Sequence, residues 1–221
     1  ENHADHLTDA EIFTENKPNI LKTSLLSSEI VGGETTTTFF RDSSKDLSNL
    51  YNGNGSLNQS VLPNICTLQF NFNLANKTSG FNLDEIRTYA KWNDSGRTGQ
   101  GYRVQYSTVS APTTFIDLHT VNNWNINFTF NKTSTMTQLL LTDVMHVSSV
   151  RFIFNGYQNG GTGYVKIYIG EISPPPFADK QALNNAVNAW IGNQTTAETT
   201  YGQIKDWDVS QVTDMSNMFY G

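Results

Sequence analysis

From Glu29 onward, apolar and polar residues alternate along much of the chain with a period of two. In CTLQFNFNL, Leu68, Phe70, Phe72 and Leu74 alternate with Gln69, Asn71 and Asn73, the pattern of a strand with one face in a core and the other in water. DEIRTYAKW sets Ile86, Thr88, Ala90 and Trp92 on one face. The same spacing returns in Tyr102, Val104 and Tyr106, in Trp124, Ile126, Phe128 and Phe130, in Val150, Phe152 and Phe154, and in Val165, Ile167 and Ile169. TTTTFF at 35–40 is a further candidate, rich in β-branched and aromatic residues. Turn-forming clusters separate these runs: NGNGS (52–56), NDSGRTGQG (93–101) and NGYQNGGTG (155–163). About eight short strands follow, and no crossover helices lie between them, as a parallel sheet would need. The pattern predicts an all-β fold, an antiparallel jelly-roll β-sandwich over 26–173.

The flanks differ. Residues 1–25 show no sustained period and read as an N-terminal extension. A short helix over Thr8–Thr14 is foreseen there, capped by Thr8 with Glu11 three residues on. Pro174, Pro175 and Pro176 form a stiff linker (174–176) that cannot continue a ladder. Beyond it, Leu183, Ala186, Val187, Trp190 and Ile191 fall at helical spacing, with Asp179 as the cap. Residues 177–221 therefore read as a small helical fragment, the start of a second domain that continues beyond this sequence.

Composition narrows the partners. Among 221 residues, 14 Lys+Arg against 20 Asp+Glu leave a net charge of −6, the wrong sign for a phosphate-backbone binder. Charged residues are 15%, against roughly 25% in an ordinary soluble domain, while asparagine alone numbers 25. Such a polar but weakly ionic surface suits an extracellular β-protein, secreted or on a cell surface. No apolar run approaches the roughly 18 residues of a membrane span, and no charged-then-apolar leader opens the chain. Cys66 stands alone in an apolar run, so it reads as a core residue. Seven Asn-x-Ser/Thr sequons, at Asn54, Asn58, Asn76, Asn93, Asn127, Asn131 and Asn193, permit glycosylation.

Two stretches resemble known families. FADKQALNNAVNAWIGNQTTAETTYGQIKDWDVSQVTDMSNMF (177–219) resembles the opening of BspA-like leucine-rich surface repeats, with Trp207, Asp208, Val209, Ser210, Val212, Thr213, Met215, Met218 and Phe219 on the motif. That resemblance implies a cell-surface protein associated with adhesion. The β-region carries, in order, Leu50-Tyr51-Asn52-Gly53-Asn54, the strand Phe81–Trp92, Arg97 with Tyr102-Arg103-Val104-Gln105-Tyr106-Ser107, Phe115–Val121, Val150-Arg151-Phe152 and Glu171-Ile172. This succession is similar to the galactose-binding-like sandwich of discoidin domains and family 32 carbohydrate-binding modules. The resemblance implies a ligand end near Arg97 and the last long loop. It also implies a structural calcium near Asn52, Asn54 and Glu171, although Asn52 stands where the family has Asp.

Sugar recognition calls for an aromatic face and planar amide or guanidinium groups on loops held by a rigid scaffold. The 92–101 turn offers Trp92, Asn93, Asp94 and Arg97, and the 155–163 turn offers Asn155, Tyr157, Gln158 and Asn159. Trp92 also continues the inward stripe of its strand. For a metal, oxygen ligands in a turn point to a hard cation such as Ca²⁺. His3 and His6 lie in the N-terminal extension and read as no metal site, and His119 and His146 have no nearby partner in sequence. GxSxG, HExxH, P-loop and strand-following GxGxxG signatures are absent from the sequence. The expectation is a non-enzymatic module that binds glycans or other cell-surface and matrix components, without nucleic acid and without membrane insertion. The rival is a spacer or assembly module that binds protein partners in a surface filament, coat or cell wall.

Overall fold

The computed structural model describes residues 1–15, 17–33, 47–52, 60–61, 65–91, 98–122, 134–155, 163–172, 177–202, 204 and 207–216. In chain order the elements are β1 (Asn2–Asp5), α1 (Asp9–Phe13), α2 (Ile20–Thr23), β2 (Leu25–Gly33), α3 (Asn49–Asn52), β3 (Ser60–Val61), β4 (Ile65–Phe72) and β5 (Phe81–Lys91), followed by β6 (Gly101–Thr108), β7 (Ala111–Asn122), β8 (Ser134–Asn155), β9 (Gly163–Glu171), α4 (Lys180–Gly192) and α5 (Gln194–Tyr201). The chain divides into two units, Glu1–Glu171 and Ile172–Gly221. The expected strands at 35–40 and 124–130 lie outside the described residues.

The first unit is an antiparallel sandwich hung on β8, a 22-residue strand. Its first half pairs with β1 and β5, and β5 pairs in turn with β9, which carries β3. Its second half pairs with β4 and β6, which carry β2 and β7 at the edges. The change of layer falls at a corner where Asp143 (φ 59°) and His146 (φ 58°) adopt left-handed backbone, a conformation that costs a non-glycine residue free energy. The β4–β5 turn packs on that corner. Gly80, at φ 81°, has room for no side chain there, since a Cβ would lie 2.6 Å from the His146 carbonyl carbon.

The core lies between the layers. Leu68, Phe70, Phe72, Ile86, Ala90, Tyr102, Val104, Val150, Phe152, Phe154, Ile167 and Ile169 are buried, as the alternation predicts. Rings meet across the gap, with Tyr102 and Phe154 at 6.4 and 5.2 Å from Tyr164 on β9. Val165 departs from its expected face. The ladder slips between Lys166 and Tyr164, so Tyr164 turns inward and Val165 packs outward with Ile12 and Tyr89.

That outward packing is the work of Leu7, Ile12 and Phe13, which strap the outer face of the first layer before α2 turns Ile20 and Leu21 into the main core. The capping box on Thr8 and Glu11 forms as foreseen, and α1 drives Ile12 fully into the interface with β5 and β9. Lys166 donates to the Ile12 carbonyl at 2.8 Å and pairs with Glu15 at 2.9 Å. Lys17 pairs with Asp84 at 2.8 Å. Asn19 is the firmest attachment. Its Nδ2 donates to the Ile167 carbonyl (3.0 Å) and its Oδ1 accepts from Ile169 N–H (3.2 Å), so one side-chain amide replaces a neighbouring strand on β9. The same Oδ1 caps α2 through Leu21 N–H.

Gly170 lies beside this strap. A Cβ there would come within 2.5 Å of Asp84 Oδ1 and 2.9 Å of the Tyr168 hydroxyl. Gly170→Ala is expected to lower the unfolding free energy by about 1–2 kcal/mol through overpacking, read as a lower urea midpoint. An unchanged midpoint would mean that Asp84 swings clear without loss.

The second unit holds α4, capped by Asp179 Oδ1 on Ala182 N–H at 2.8 Å. Phe177, Leu183, Ala186 and Val212 form its core, with Val187, Tyr201 and Trp207 packed on it. Trp207 sits edge-on to Phe177, Trp190 and Tyr201, and its indole N–H donates to the Gly202 carbonyl. Ile191, expected on the apolar face of α4, is instead 77% exposed. No described helix is long and apolar enough to cross a membrane.

Candidate functional site

Register brings the described flanks of the two sequence-marked turns to one end of the sandwich. Ala90, one residue from the end of β5, pairs with Tyr164 at the start of β9 and with Thr135 at the start of β8. Tyr102, at the start of β6, pairs with Phe154 at the end of β8, and Ile65 pairs with Asn155. The described residues that flank 92–97 and 156–162, which are Lys91, Thr98, Asn155 and Gly163, therefore leave the sheets at the same end. Trp92, Asn93, Asp94, Arg97, Tyr157, Gln158, Asn159 and Asn54 lie outside the described residues. Asn155 is the last residue of β8.

Beneath that end lies a buried polar cluster centred on Gln100, which is fully buried. Its Nε2 donates to the Thr88 carbonyl (3.2 Å), the Thr135 carbonyl (3.2 Å) and Thr135 Oγ1 (3.0 Å). Its Oε1 accepts from Thr88 Oγ1, which also bonds the Tyr102 hydroxyl at 2.8 Å. Thr135 Oγ1 donates to the Thr98 carbonyl. Every polar atom of the Gln100 amide is thus used, and the chain from Thr98 to Tyr102 is tied to both β5 and β8. Such a fully satisfied network in low dielectric is rigid. Burial pushes the phenols of Tyr102 and Tyr164 up, so both stay protonated at neutral pH. Sequence reasoning missed Gln100 and Thr135. The available signal was Thr88, a polar residue in an apolar stripe that needs a buried partner.

The candidate metal residues sit apart from this cluster. Glu171 closes the nine-residue β9, and eight steps of about 3.3 Å put it roughly 26 Å along the strand from Gly163. Its carboxylate pairs with Lys77, a partner any cation there would have to displace. Asn52 ends α3 and is exposed. Among the described residues, no three or more His, Cys, Asp or Glu side chains group so as to hold a metal ion. Three of the four histidine side chains have partners among the described residues. Glu1 faces both His3 and His119, and His146 Nδ1 lies 3.0 Å from the Ser79 carbonyl.

Carboxylates on the strapped face are matched by cations. Arg87 grips Glu85 through two nitrogens at 2.5 Å, and its guanidinium lies 4.8 Å from the Tyr168 ring centroid. Burial pushes the Glu85 carboxyl up, but hydrogen bonds from Arg87 and Gln138 outweigh it and leave the pKa lowered. Glu15 behaves likewise between Lys166 and Lys22.

No family model and no curated protein matches the chain. Solved structures similar to it include truncated AlyQ with CBM32 and alginate lyase domains, at 12% identity over 70% of this chain and 34% of that one, with a TM-score of 0.42. A two-domain structure, CBM32-1 and CBM32-2 of Clostridium perfringens ZmpB, is 10% identical over 91% of this chain and 54% of its own, with a TM-score of 0.44. A glycoside hydrolase is 11% identical over 71% and 33% respectively, also at 0.44. This chain spans between a third and about half of those chains. Similarity at this level transfers neither ligand nor activity.

Proposed function

We propose that this chain is a non-enzymatic, extracellular carbohydrate-binding and adhesion module of a larger surface protein. Trp92, Asn93, Asp94 and Arg97 would meet the glycan from one turn, and Asn155, Tyr157, Gln158 and Asn159 from the other. The supporting observation is the strand register, which delivers the flanks of both turns to one end above the Gln100 cluster. Rigid strands below polar, aromatic-bearing turns are the setting in which shallow sugar sites form. One such site binds weakly, and avidity from further copies supplies adhesion. Calcium at Asn52, Asn54 and Glu171 would act structurally.

The assembly reading would use the edge strands β2 and β7. Both ladders carry register shifts, at Leu25/Ser27 and Ile30/Gly32 in one and at Val104/Gln105 and Tyr106/Thr108 in the other. Irregular edges of this kind oppose edge-to-edge pairing.

A glycan array probed with the intact chain, with and without calcium, tests the proposal. Binding is expected to weaken on the order of tenfold, about 1.4 kcal/mol, in both Arg97→Ala and Tyr157→Ala. Loss of binding on chelation would support the calcium residues. A folded chain that binds no glycan would overturn the reading in favour of assembly.

A further inference from the structure

The outer face of the second layer carries a polar row that the loop-end reading does not use. Directly across the strands stand Gln69 on β4, Arg151 on β8, Gln105 on β6 and Asp117 on β7. Arg151 is held twice. Its Nε donates to Gln105 Oε1 at 2.6 Å, and its guanidinium carbon lies 3.8 Å from the centroid of the Phe115 ring. Gln105 is fixed in turn by donating from Nε2 to Asp117 Oδ1 at 2.6 Å. These contacts set both the position and the plane of the guanidinium. Its two terminal nitrogens make no hydrogen bond or ion pair among the described residues.

Among the described residues, no carboxylate adjoins it directly. Both cross-strand neighbours of Arg151 are neutral amides. The nearest further charges are Arg103 and Asp117, and the Asp117 oxygen that accepts from Gln105 is also the one 3.5 Å from Arg103 Nε. Asp117 is thus engaged by Arg103 and Gln105, and on the other side the row ends in Glu29 on β2, opposite Gln69. Burial first, and then the Arg103 charge, push the Arg151 pKa down. An incoming anion would relieve that repulsion. A planar, pre-oriented guanidinium with two parallel terminal N–H donors matches a carboxylate or sulfate bidentately.

We propose that Arg151, oriented by Gln105 and Phe115 and supported by Arg103, forms a second binding site on this sheet face for the carboxylate or sulfate group of an acidic glycan. It is separate from the loop end, so a glycan array that fails for neutral sugars leaves this proposal standing, and the reverse also holds.

Affinity electrophoresis of the whole chain through gels holding polygalacturonate, dextran sulfate or plain dextran tests it. A protein of net charge −6 is repelled by polyanions as a whole, so retardation requires a local site. The wild-type chain is expected to be retarded by one polyanion or both and not by dextran. The polygalacturonate and dextran sulfate arms separate carboxylate from sulfate. Retardation is expected to fall on the order of tenfold in Arg151→Met, and nearly as far in Arg151→Lys, which keeps the charge but loses the fork. Equal retardation of wild type and Arg151→Met, full retention in Arg151→Lys, or no retardation of wild type would each overturn the proposal. Should Arg151→Met not fold, titrating the wild-type Arg151 Nε–H resonance with a trigalacturonate decides. A saturating shift supports the site, and an unmoved resonance sinks it.

Discussion

Replacing Asn19 by alanine is expected to lower the unfolding free energy by about 3 kcal/mol, larger than most single surface changes and comparable to emptying a core position. The substitution leaves the Ile167 carbonyl, the Ile169 N–H and the Leu21 N–H without the amide that serves them. Asn19 is only 1% exposed, so water reaches those groups poorly. The loss also frees the end of the strap from β9. In a unit of this size the midpoint of thermal unfolding should drop on the order of 10 °C. Asn19→Asp keeps the acceptor for both N–H groups but turns a buried carboxyl oxygen onto the Ile167 carbonyl, so its deficit should widen as pH rises through its folded-state pKa. A shift below about 1 kcal/mol in the alanine variant would show that water or the chain itself replaces the amide.

Gln100→Met is expected to cost a similar amount, about 2–4 kcal/mol, by a different route. Methionine nearly matches the volume of glutamine and adds no cavity, so the cost reports the hydrogen bonds alone. Four bonds to Thr88 and Thr135 disappear together, and Thr98 loses the fixed neighbour that holds it against β8. Gln100→Glu provides the sharper signature. A carboxyl buried there has its pKa raised by desolvation, so its folded-state value lies above the unfolded one. Its deficit against wild type should be smallest below about pH 4 and widen as pH rises through the folded-state pKa. Urea midpoints of both variants at two pH values would measure this. A deficit that does not change with pH would mean the glutamate escapes to solvent.

The strands that could be read from sequence are those whose one face is apolar. Leu68, Phe70 and Phe72 declare β4 by themselves, and Val150, Phe152 and Phe154 declare the second half of β8. The first half of β8 has no such stripe, and its strand conformation comes from pairing with β5 and β1. β1 itself reads as nothing, since NHAD has no period and gains its structure from Met136 and its neighbours on β8. The helix α5 was equally hidden, because its threonines are weak helix formers. It is held by burial of Ala197 and by the Tyr201 ring against Phe177 and Trp207. The turns of the candidate site were marked by composition, whereas their anchor was not. Thr88 and Thr135 lie 12 and 35 residues from Gln100, and no local pattern links residues that far apart.

The corner in β8 has a consequence for how the chain acquires its shape. Four strands, β1, β4, β5 and β6, all take β8 as a hydrogen-bonding partner, and the contact of Asn2 with Gln138 spans 136 residues. During synthesis the earlier strands emerge with unsatisfied edges and cannot close until the chain has passed Asn155. Closure of either layer is then closure of both, since one strand belongs to each. Folding should accordingly be slow for its size and late in translation, with half-made chains the species most exposed to self-association. Ile12, Glu15 and Asn19 meet β9 later still, so the strap records that the rest has already been assembled.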